Sequence, residues 1–147
     1  MKWAALILWL LTAGGGFIML ALWLRHGGMR QARETGTRIR PPLLFSHFLL
    51  AATGLVLWII YLANGSDTIK WIAFVLLLVV ALLGFTMFGI WMSRRQAART
   101  SPAGSAGESG SLPAEQHFPV SIVAIHGLAA ATTLVLVFLT NIGVGGS

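Results

Sequence analysis

Two histidines, His47 and His126, lie inside long apolar segments that contain no Asp, Glu, Lys or Arg. Hydrocarbon offers no partner to a polar side chain, so a histidine inside a membrane span indicates a functional site. His47 follows Pro42 by five residues and His126 follows Pro119 by seven. On helices these spacings place both rings at a similar depth, about 8 and 10 Å from the helix ends. Two neutral imidazoles at one depth can bind one metal ion from opposite sides.

A b-type haem needs such a pair, because its axial ligands approach the iron from both faces of the macrocycle. We therefore predict that His47 and His126 are the axial ligands of one haem b. Small residues one turn beyond each histidine, and glycines at a similar level on the other two helices, would leave room for the macrocycle. The predicted pocket residues are Gly16, Gly84, Ala51, Ala130 and Gly54.

Arginines flank the helix ends nearest to the two histidines. Haem propionates pointing toward this side would pair with guanidinium groups, which bind carboxylates through charge-assisted hydrogen bonds. The candidates are Arg38, Arg40, Arg94 and Arg95, of which Arg40 and Arg94 are the predicted cofactor contacts.

Other interpretations of the two histidines remain open. A buried histidine can simply hydrogen-bond between helices, and small residues also serve helix packing in membrane bundles. Met19 and Met87 could join the histidines in a soft site suited to Cu(I). The remaining histidines, His26 and His117, fall at the membrane interface, where we expect solvated loop residues.

Four apolar segments are long enough to cross a membrane. The sequence is 56% hydrophobic and 10% charged, with mean hydropathy +0.82, and a soluble domain cannot bury so much apolar surface. A hydrocarbon core of roughly 30 Å takes about 20 helical residues. Because the segments are continuously apolar, they predict helices rather than barrel strands. The predicted helices are residues 3–24, 43–63, 71–92 and 120–142.

The basic residues are distributed unevenly between the two sides of these segments. Five arginines lie between the first and second segments and three between the third and fourth, whereas Lys2 and Lys70 lie on the other side. The positive-inside rule then puts both arginine-bearing loops in the cytoplasm and both termini outside, as expected for a bacterial inner membrane. The net charge of +6 is thereby explained by topology, and no nucleic-acid partner is predicted.

The chain reads as a two-helix hairpin that occurs twice. The first and third segments match at an offset of 68 residues, which pairs Trp3 with Trp71 and Gly16 with Gly84. The second and fourth match at an offset of 79 residues, which pairs the two histidines. We predict an all-α membrane protein: a four-transmembrane-helix bundle built by tandem duplication, with a pseudo-two-fold axis along the membrane normal.

The larger second offset implies an insertion in the third loop. That loop is rich in Gly, Ser, Ala and Pro, and we predict a flexible cytoplasmic linker over about residues 96–117 within a single membrane domain.

Several kinds of chemistry are excluded by what the sequence lacks. Without cysteine there is no disulfide, iron–sulfur cluster or covalently attached c-type haem. The nucleotide-binding and zinc-protease patterns GxGxxG, GxxxxGK[ST] and HExxH do not occur. No hydrolytic activity is predicted, and the chain would at most be part of an oxidoreductase complex.

The plan resembles that of small four-helix membrane-bound b-type cytochromes, in which paired histidines hold haem between helices. The resemblance covers the bundle together with His47 and His126, and it is one of architecture without a family motif. Members of the cytochrome b561-like group usually hold two haems through four intramembrane histidines. This chain departs from that pattern with two at that depth, so the resemblance implies one haem that does not bridge the bilayer.

Three functions follow as hypotheses. The first is a haem b electron-transfer subunit that exchanges electrons with quinone or with a partner respiratory complex. The second is a cofactor-free accessory or assembly subunit, bound to other membrane subunits or to copies of itself. The third, a small transporter or channel, is disfavoured because the spans carry little polar lining.

Overall fold

The computed structural model describes residues 1–34, 39–100 and 113–144, apart from the side chains at 34 and 97–100. This part of the chain is helical and contains no strand. The four long helices are α1 (Lys2–Arg25), α3 (Pro41–Asn64), α4 (Asp67–Thr100) and α5 (Val120–Asn141). Two short elements complete the fold: α2 (Gly28–Glu34) and a 3-10 helix, here called η1 (Ala114–His117).

The four long helices are long and apolar enough to cross a membrane. The spans are Lys2–Arg25, Pro41–Asn64, Asp67–Gln96 and Val120–Asn141. The chain therefore has the fold of an all-α integral membrane protein, as the sequence predicts. In such helices all interior backbone groups bond within the helix, which a hydrocarbon environment requires.

Proline and glycine set the helix ends. Prolines occupy the first turn of α3, where a missing N–H removes no helical hydrogen bond, and Pro119 is the N-cap residue of α5. Gly65 ends α3 with φ of 70°, a left-handed conformation that glycine adopts without strain. The Asn64 side chain then accepts a hydrogen bond from the Ser66 amide at 2.9 Å, which closes the tight turn into α4.

Each long helix packs most extensively against a helix from the other hairpin. The main interfaces are α3 with α4 and α1 with α5, and the interfaces within each hairpin, α1 with α3 and α4 with α5, are smaller. Helices α3 and α5 therefore lie diagonally across the bundle, as do α1 and α4. Residues on α3 and α5 can meet only across the bundle centre.

Burial repeats with the two offsets found in the sequence. Each buried residue on α1 has a buried counterpart on α4, and each buried residue on α3 has one on α5. The pairs are Ala5 and Ala73, Trp9 and Leu77, Trp23 and Trp91, Gly54 and Thr133, and Trp58 and Val137. A duplicated hairpin produces this pattern, although the duplication itself stays a prediction.

The buried residues form two clusters, one toward each end of the bundle. The end where α1 and α4 finish and α3 and α5 begin carries the arginines and is called the arginine end; the other is the opposite end. The arginine-end cluster consists of Trp23, Ile39, Trp91, Ala114 and Phe118. The opposite-end cluster consists of Ala5, Trp9, Trp58, Ala73, Leu77 and Val137.

Elements α2 and η1 cover the arginine end. The Gln31 side chain joins them, because its Oε1 accepts the Ala114 amide at 2.9 Å. The predicted linker is shorter than expected in the described residues: α4 continues to Thr100 and η1 begins at Ala114, with Ala114 and Glu115 buried. Residues 101–112 lie outside the described residues. Helix α2 was not predicted because its short polar sequence has no apolar periodicity.

Candidate functional site

His47 and His126 face each other inside the bundle. Their ring centroids lie 6.5 Å apart and the ring planes are inclined by 55°. The two side chains come from α3 and α5, so they meet across the bundle centre. The sequence predicts that the rings share one depth, and in the structure the pair does come together.

Each ring is fixed by one hydrogen bond to a backbone carbonyl of a neighbouring helix. Nδ1 of His47 donates to the Val80 carbonyl at 3.0 Å, and Nδ1 of His126 donates to the Thr12 carbonyl at 2.9 Å. A carbonyl oxygen can only accept, so the network assigns the proton to Nδ1. In the neutral ring Nε2 then carries a free lone pair, and neither Nε2 has a hydrogen-bond partner among the described residues.

The two hydrogen bonds are reciprocal between the hairpins. His47 belongs to the first hairpin and is bound by α4 of the second, whereas His126 belongs to the second and is bound by α1 of the first. Val80 and Thr12 are themselves related by the offset of 68 residues. The orientation of each imidazole therefore depends on the presence of the other hairpin.

Glycines give the imidazoles access to these carbonyls. In an α-helix a carbonyl is covered by the side chain four residues further on, which after Val80 and Thr12 is Gly84 and Gly16. A Cβ atom added to Gly84 would lie 3.2 Å from Cε1 of His47, and one added to Gly16 would lie 3.3 Å from Cε1 of His126. Both glycines therefore admit the imidazole rings, and their predicted role beside a macrocycle stays a prediction.

The remaining small residues of the predicted pocket divide into two groups. Ala51 and Ala130 are half-buried on the same helices as the histidines, one turn further on. Gly54 lies elsewhere: a Cβ there would stand 3.0 Å from the Trp9 indole, about 10 Å along the helix from His47. Gly54 is therefore part of the opposite-end cluster, and its missing side chain accommodates an indole rather than the predicted cofactor.

The predicted arginine contacts occupy different positions at the arginine end. Arg94 is half-buried, and its Nε has no hydrogen-bond partner in the described structure. The Arg95 guanidinium lies over the Trp91 ring at 5.0 Å from its centroid. Arg40 is exposed as the residue preceding α3, and Arg38 lies outside the described residues. Of these side chains, Arg94 has an unpaired donor directed away from solvent.

Met19 and Met87 pack against the arginine-end cluster. Packing against apolar side chains is a common role of methionine, and the Cu(I) alternative stays a prediction. Within the described residues, no group of three or more His, Asp and Glu side chains is arranged to hold a metal ion. A site between the two imidazoles would accordingly rest on two protein ligands.

The other two histidines form a pair that the sequence did not predict. The rings of His26 and His117 stack with centroids 3.8 Å apart and planes inclined by 15°. His26 caps α1 and is exposed, whereas His117 ends η1 and is half-buried, and the two rings are in direct contact. The sequence could not predict this contact, because the two histidines are 91 residues apart and meet only when η1 packs against α1.

Hydroxyl groups within the spans are satisfied locally. Each threonine on the long helices whose bond is described donates to the carbonyl four residues earlier, at 2.8 to 2.9 Å. Such hydroxyls do not need a ligand. Other polar atoms of the described spans also lack a partner, among them Nε1 of Trp23 and of Trp91 and Oδ1 of Asn141.

A cavity of about 330 Å³ opens at the opposite end of the bundle. Its wall includes Lys2, Tyr61 and Lys70, together with the end of α5. None of the predicted site residues lines it, so it is separate from the imidazole pair.

Comparison with protein-family models, with curated proteins and with solved structures gives no match for this chain. The function is therefore inferred from the site itself. Fold and site together define a four-helix membrane protein with two facing imidazoles in its interior.

Proposed function

We propose that this protein is a membrane-embedded electron-transfer subunit that binds one haem b between His47 and His126. The carrying observation is the pair of facing rings whose Nδ1 atoms are both hydrogen-bonded and whose Nε2 atoms are both free. Both rings are half-buried, and an acceptor without a donor is costly in hydrocarbon, so a shared metal ion would satisfy both Nε2 atoms.

The spacing of the rings suits coordination of a single iron. A nitrogen ligand lies about 2 Å from a first-row transition metal, so imidazoles bound to opposite faces have centroids roughly 6 Å apart. The observed 6.5 Å is close to that value. The centroid separation is therefore compatible with one metal ion held between the two rings.

The hydrogen bonds suit the same role. Metal-binding histidines generally donate their other ring N–H to a carbonyl or carboxylate, which fixes the tautomer and increases ligand basicity. Val80 and Thr12 supply those carbonyls. When bound, haem iron supplies reversible one-electron exchange. The chain itself holds the ligands in place, excludes bulk water and supplies an apolar surrounding that affects the reduction potential.

The location of the pair restricts the electron path. The histidines lie about 8 to 10 Å from the arginine ends of their helices, so one haem there serves one side of the membrane. We expect exchange with a quinone in the bilayer or with a partner respiratory complex, reached from the arginine side. We expect other membrane subunits or copies of the chain itself to join it in that complex, through its lipid-facing helix surfaces.

We further propose that the arginine end is cytoplasmic in a bacterial inner membrane, with both termini outside. The support is the positive-inside rule applied to the eight arginines of the two loops. The chain has no cysteine, so single-cysteine variants report topology directly. A membrane-impermeant maleimide should label Thr68→Cys in intact cells and should leave Ser105→Cys unlabelled until the cells are permeabilised.

Asparagine variants separate ligation from helix packing. The amide nitrogen of His47→Asn or His126→Asn occupies the position of Nδ1 and keeps a donor for the carbonyl, but it removes the coordinating Nε2. We expect each variant to fold and to lose the six-coordinate, low-spin visible spectrum of dithionite-reduced protein. His26→Asn and His117→Asn are matched controls that should retain it.

Two outcomes would contradict the haem assignment. Full haem stoichiometry with an unchanged spectrum in both His47→Asn and His126→Asn would place the cofactor elsewhere. Wild-type protein without any haem signal, after expression with ample haem, would favour the accessory subunit, in which the two histidines only join helices.

A further inference from the structure

Two buried indole N–H groups at the arginine end have no acceptor. Trp23 is 0% and Trp91 is 4% exposed, and Nε1 of each lacks a hydrogen-bond partner among the described residues. Trp58, at the opposite end, differs because its Nε1 donates to the Lys2 carbonyl at 3.3 Å. A buried tryptophan N–H usually finds a partner, and leaving one unpaired is costly.

The two indoles occupy equivalent positions relative to the imidazole pair. Trp23 follows Gly16 by seven residues and Trp91 follows Gly84 by seven, which is about 10 Å along each helix toward the arginine end. Helical side chains lean toward the N-terminus of their helix. On α1 and α4 that direction leads toward the imidazoles, and the Trp23 indole also packs directly against Gly28 at the start of α2.

The imidazole side chains lean in the opposite direction, toward the arginine end. Helices α3 and α5 begin at the arginine end, so His47 and His126 lean toward the indoles. Leu44 and Val123, one turn before the two histidines, pack against the arginine-end cluster. Leu44 and Val123 therefore lie between the imidazole pair and the arginine-end cluster.

Charge at this level favours an acidic ligand. The half-buried Arg94 adds a third unpaired donor through Nε, and the Arg95 guanidinium lies over the Trp91 ring. One group opposes this tendency: Glu115, 1% exposed on η1, has an unpaired Oε2 at the same end. Glu115 would compete as an internal acceptor if the side chains rearranged, so its effect must be tested separately.

We propose that Trp23 and Trp91 donate hydrogen bonds to the two carboxylate side chains of the haem, with Arg94 providing the compensating positive charge. The proposal rests on the proposed function, since it requires haem between the histidines. It adds two positioning donors that the arginine-rich loops alone would not suggest. The donors would fix which edge of the macrocycle lies toward the arginine end.

Haem dimethyl ester tests this proposal because its carboxylates are blocked. The apoprotein is titrated with haem b and with the dimethyl ester, using wild type, Trp23→Phe, Trp91→Phe and the control Trp58→Phe. A hydrogen bond to a charged group corresponds to about tenfold or more in affinity. We expect each Phe variant at the arginine end to lose about tenfold for haem b and less than about twofold for the ester. Trp58→Phe should affect the two ligands equally.

Equal losses for both ligands in Trp23→Phe and Trp91→Phe would overturn the proposal and leave the indoles as packing residues. Loss of the difference between the ligands in Glu115→Gln would overturn it as well, because removal of a competing acceptor should preserve or increase the preference for haem b. Failure of the proposed function gives a different result: wild type would bind neither ligand in six-coordinate form. Ultraviolet resonance Raman spectra of wild type give a second readout, since the indole N–H bands should shift with haem b and not with the ester.

Discussion

His26 and His117 stack ring on ring, which joins the end of α1 to η1 across the arginine end of the bundle. The contact is reinforced nearby by Gln31, whose side chain accepts the Ala114 amide and donates to the His26 carbonyl at 3.5 Å. The elements α2 and η1 thus form a structured cover over the arginine-end cluster. The cover encloses the side of the proposed haem site that carries the arginines.

The hydrogen bond from Ala114 to Gln31 should control the stability of this cover. In Gln31→Ala the buried Ala114 N–H loses its acceptor, which costs about 1–3 kcal/mol. We expect hydrogen exchange at the Ala114 amide to accelerate about tenfold or more, with the spans unaffected. Gln116→Ala, a half-buried glutamine of the same 3-10 helix, is the control. Similar exchange in both variants would show that the Gln31 contact contributes little.

The glycines under the imidazoles should not tolerate a methyl group. Gly16→Ala and Gly84→Ala each place a Cβ within 3.3 Å of a histidine ring, and overpacking of this kind costs about 1–3 kcal/mol. We expect a lower haem-to-protein ratio and a lower Tm in both.

Gly14→Ala and Gly89→Ala provide controls on the same two helices, because nothing lies within 4 Å of a Cβ at either position. Alanine there should be neutral or stabilising by up to ~1 kcal/mol, since alanine has the higher helix propensity. Indistinguishable behaviour of Gly84→Ala and Gly89→Ala would mean that the His47 ring is not held against α4.

Gly54 should affect stability without affecting the cofactor. The Trp9 indole occupies the space beside it, and the Trp9 and Trp58 rings lie 6.3 Å apart. Gly54→Leu must displace these rings, and we expect a cost of about 1–3 kcal/mol in thermal unfolding. The haem spectrum of the folded fraction should be unchanged. An altered haem spectrum with an unchanged Tm would show that Gly54 contributes to the cofactor pocket after all.

The ion pair at the opposite end should contribute little. Nζ of Lys70 lies 2.8 Å from Asp67, whose side chain is 82% exposed and therefore well screened. We expect Asp67→Asn to cost less than ~1 kcal/mol, with the difference from wild type shrinking at high salt. Thermal unfolding in detergent at two salt concentrations measures this. A cost that is large and independent of salt would indicate that Asp67 has another role.

Hydropathy and prolines were sufficient to predict the four spans, because continuous apolar runs of this length have one stable form in lipid. Depth along a helix likewise predicted that His47 and His126 meet. Depth does not determine which way a side chain turns, so the sequence alone misplaced Gly54 beside the histidines. The cover of α2 and η1 was missed for a related reason: its contacts join polar segments that are distant in sequence.

The reciprocal bonds from His47 to α4 and from His126 to α1 also concern the origin of the molecule. A symmetric dimer of one hairpin would present the same two imidazoles, each oriented by the opposite copy. Fusion of the two copies would then preserve an existing arrangement and free each half to specialise. Under the predicted duplication, position 26 is histidine in one half, whereas its counterpart, Arg94, carries a permanent positive charge.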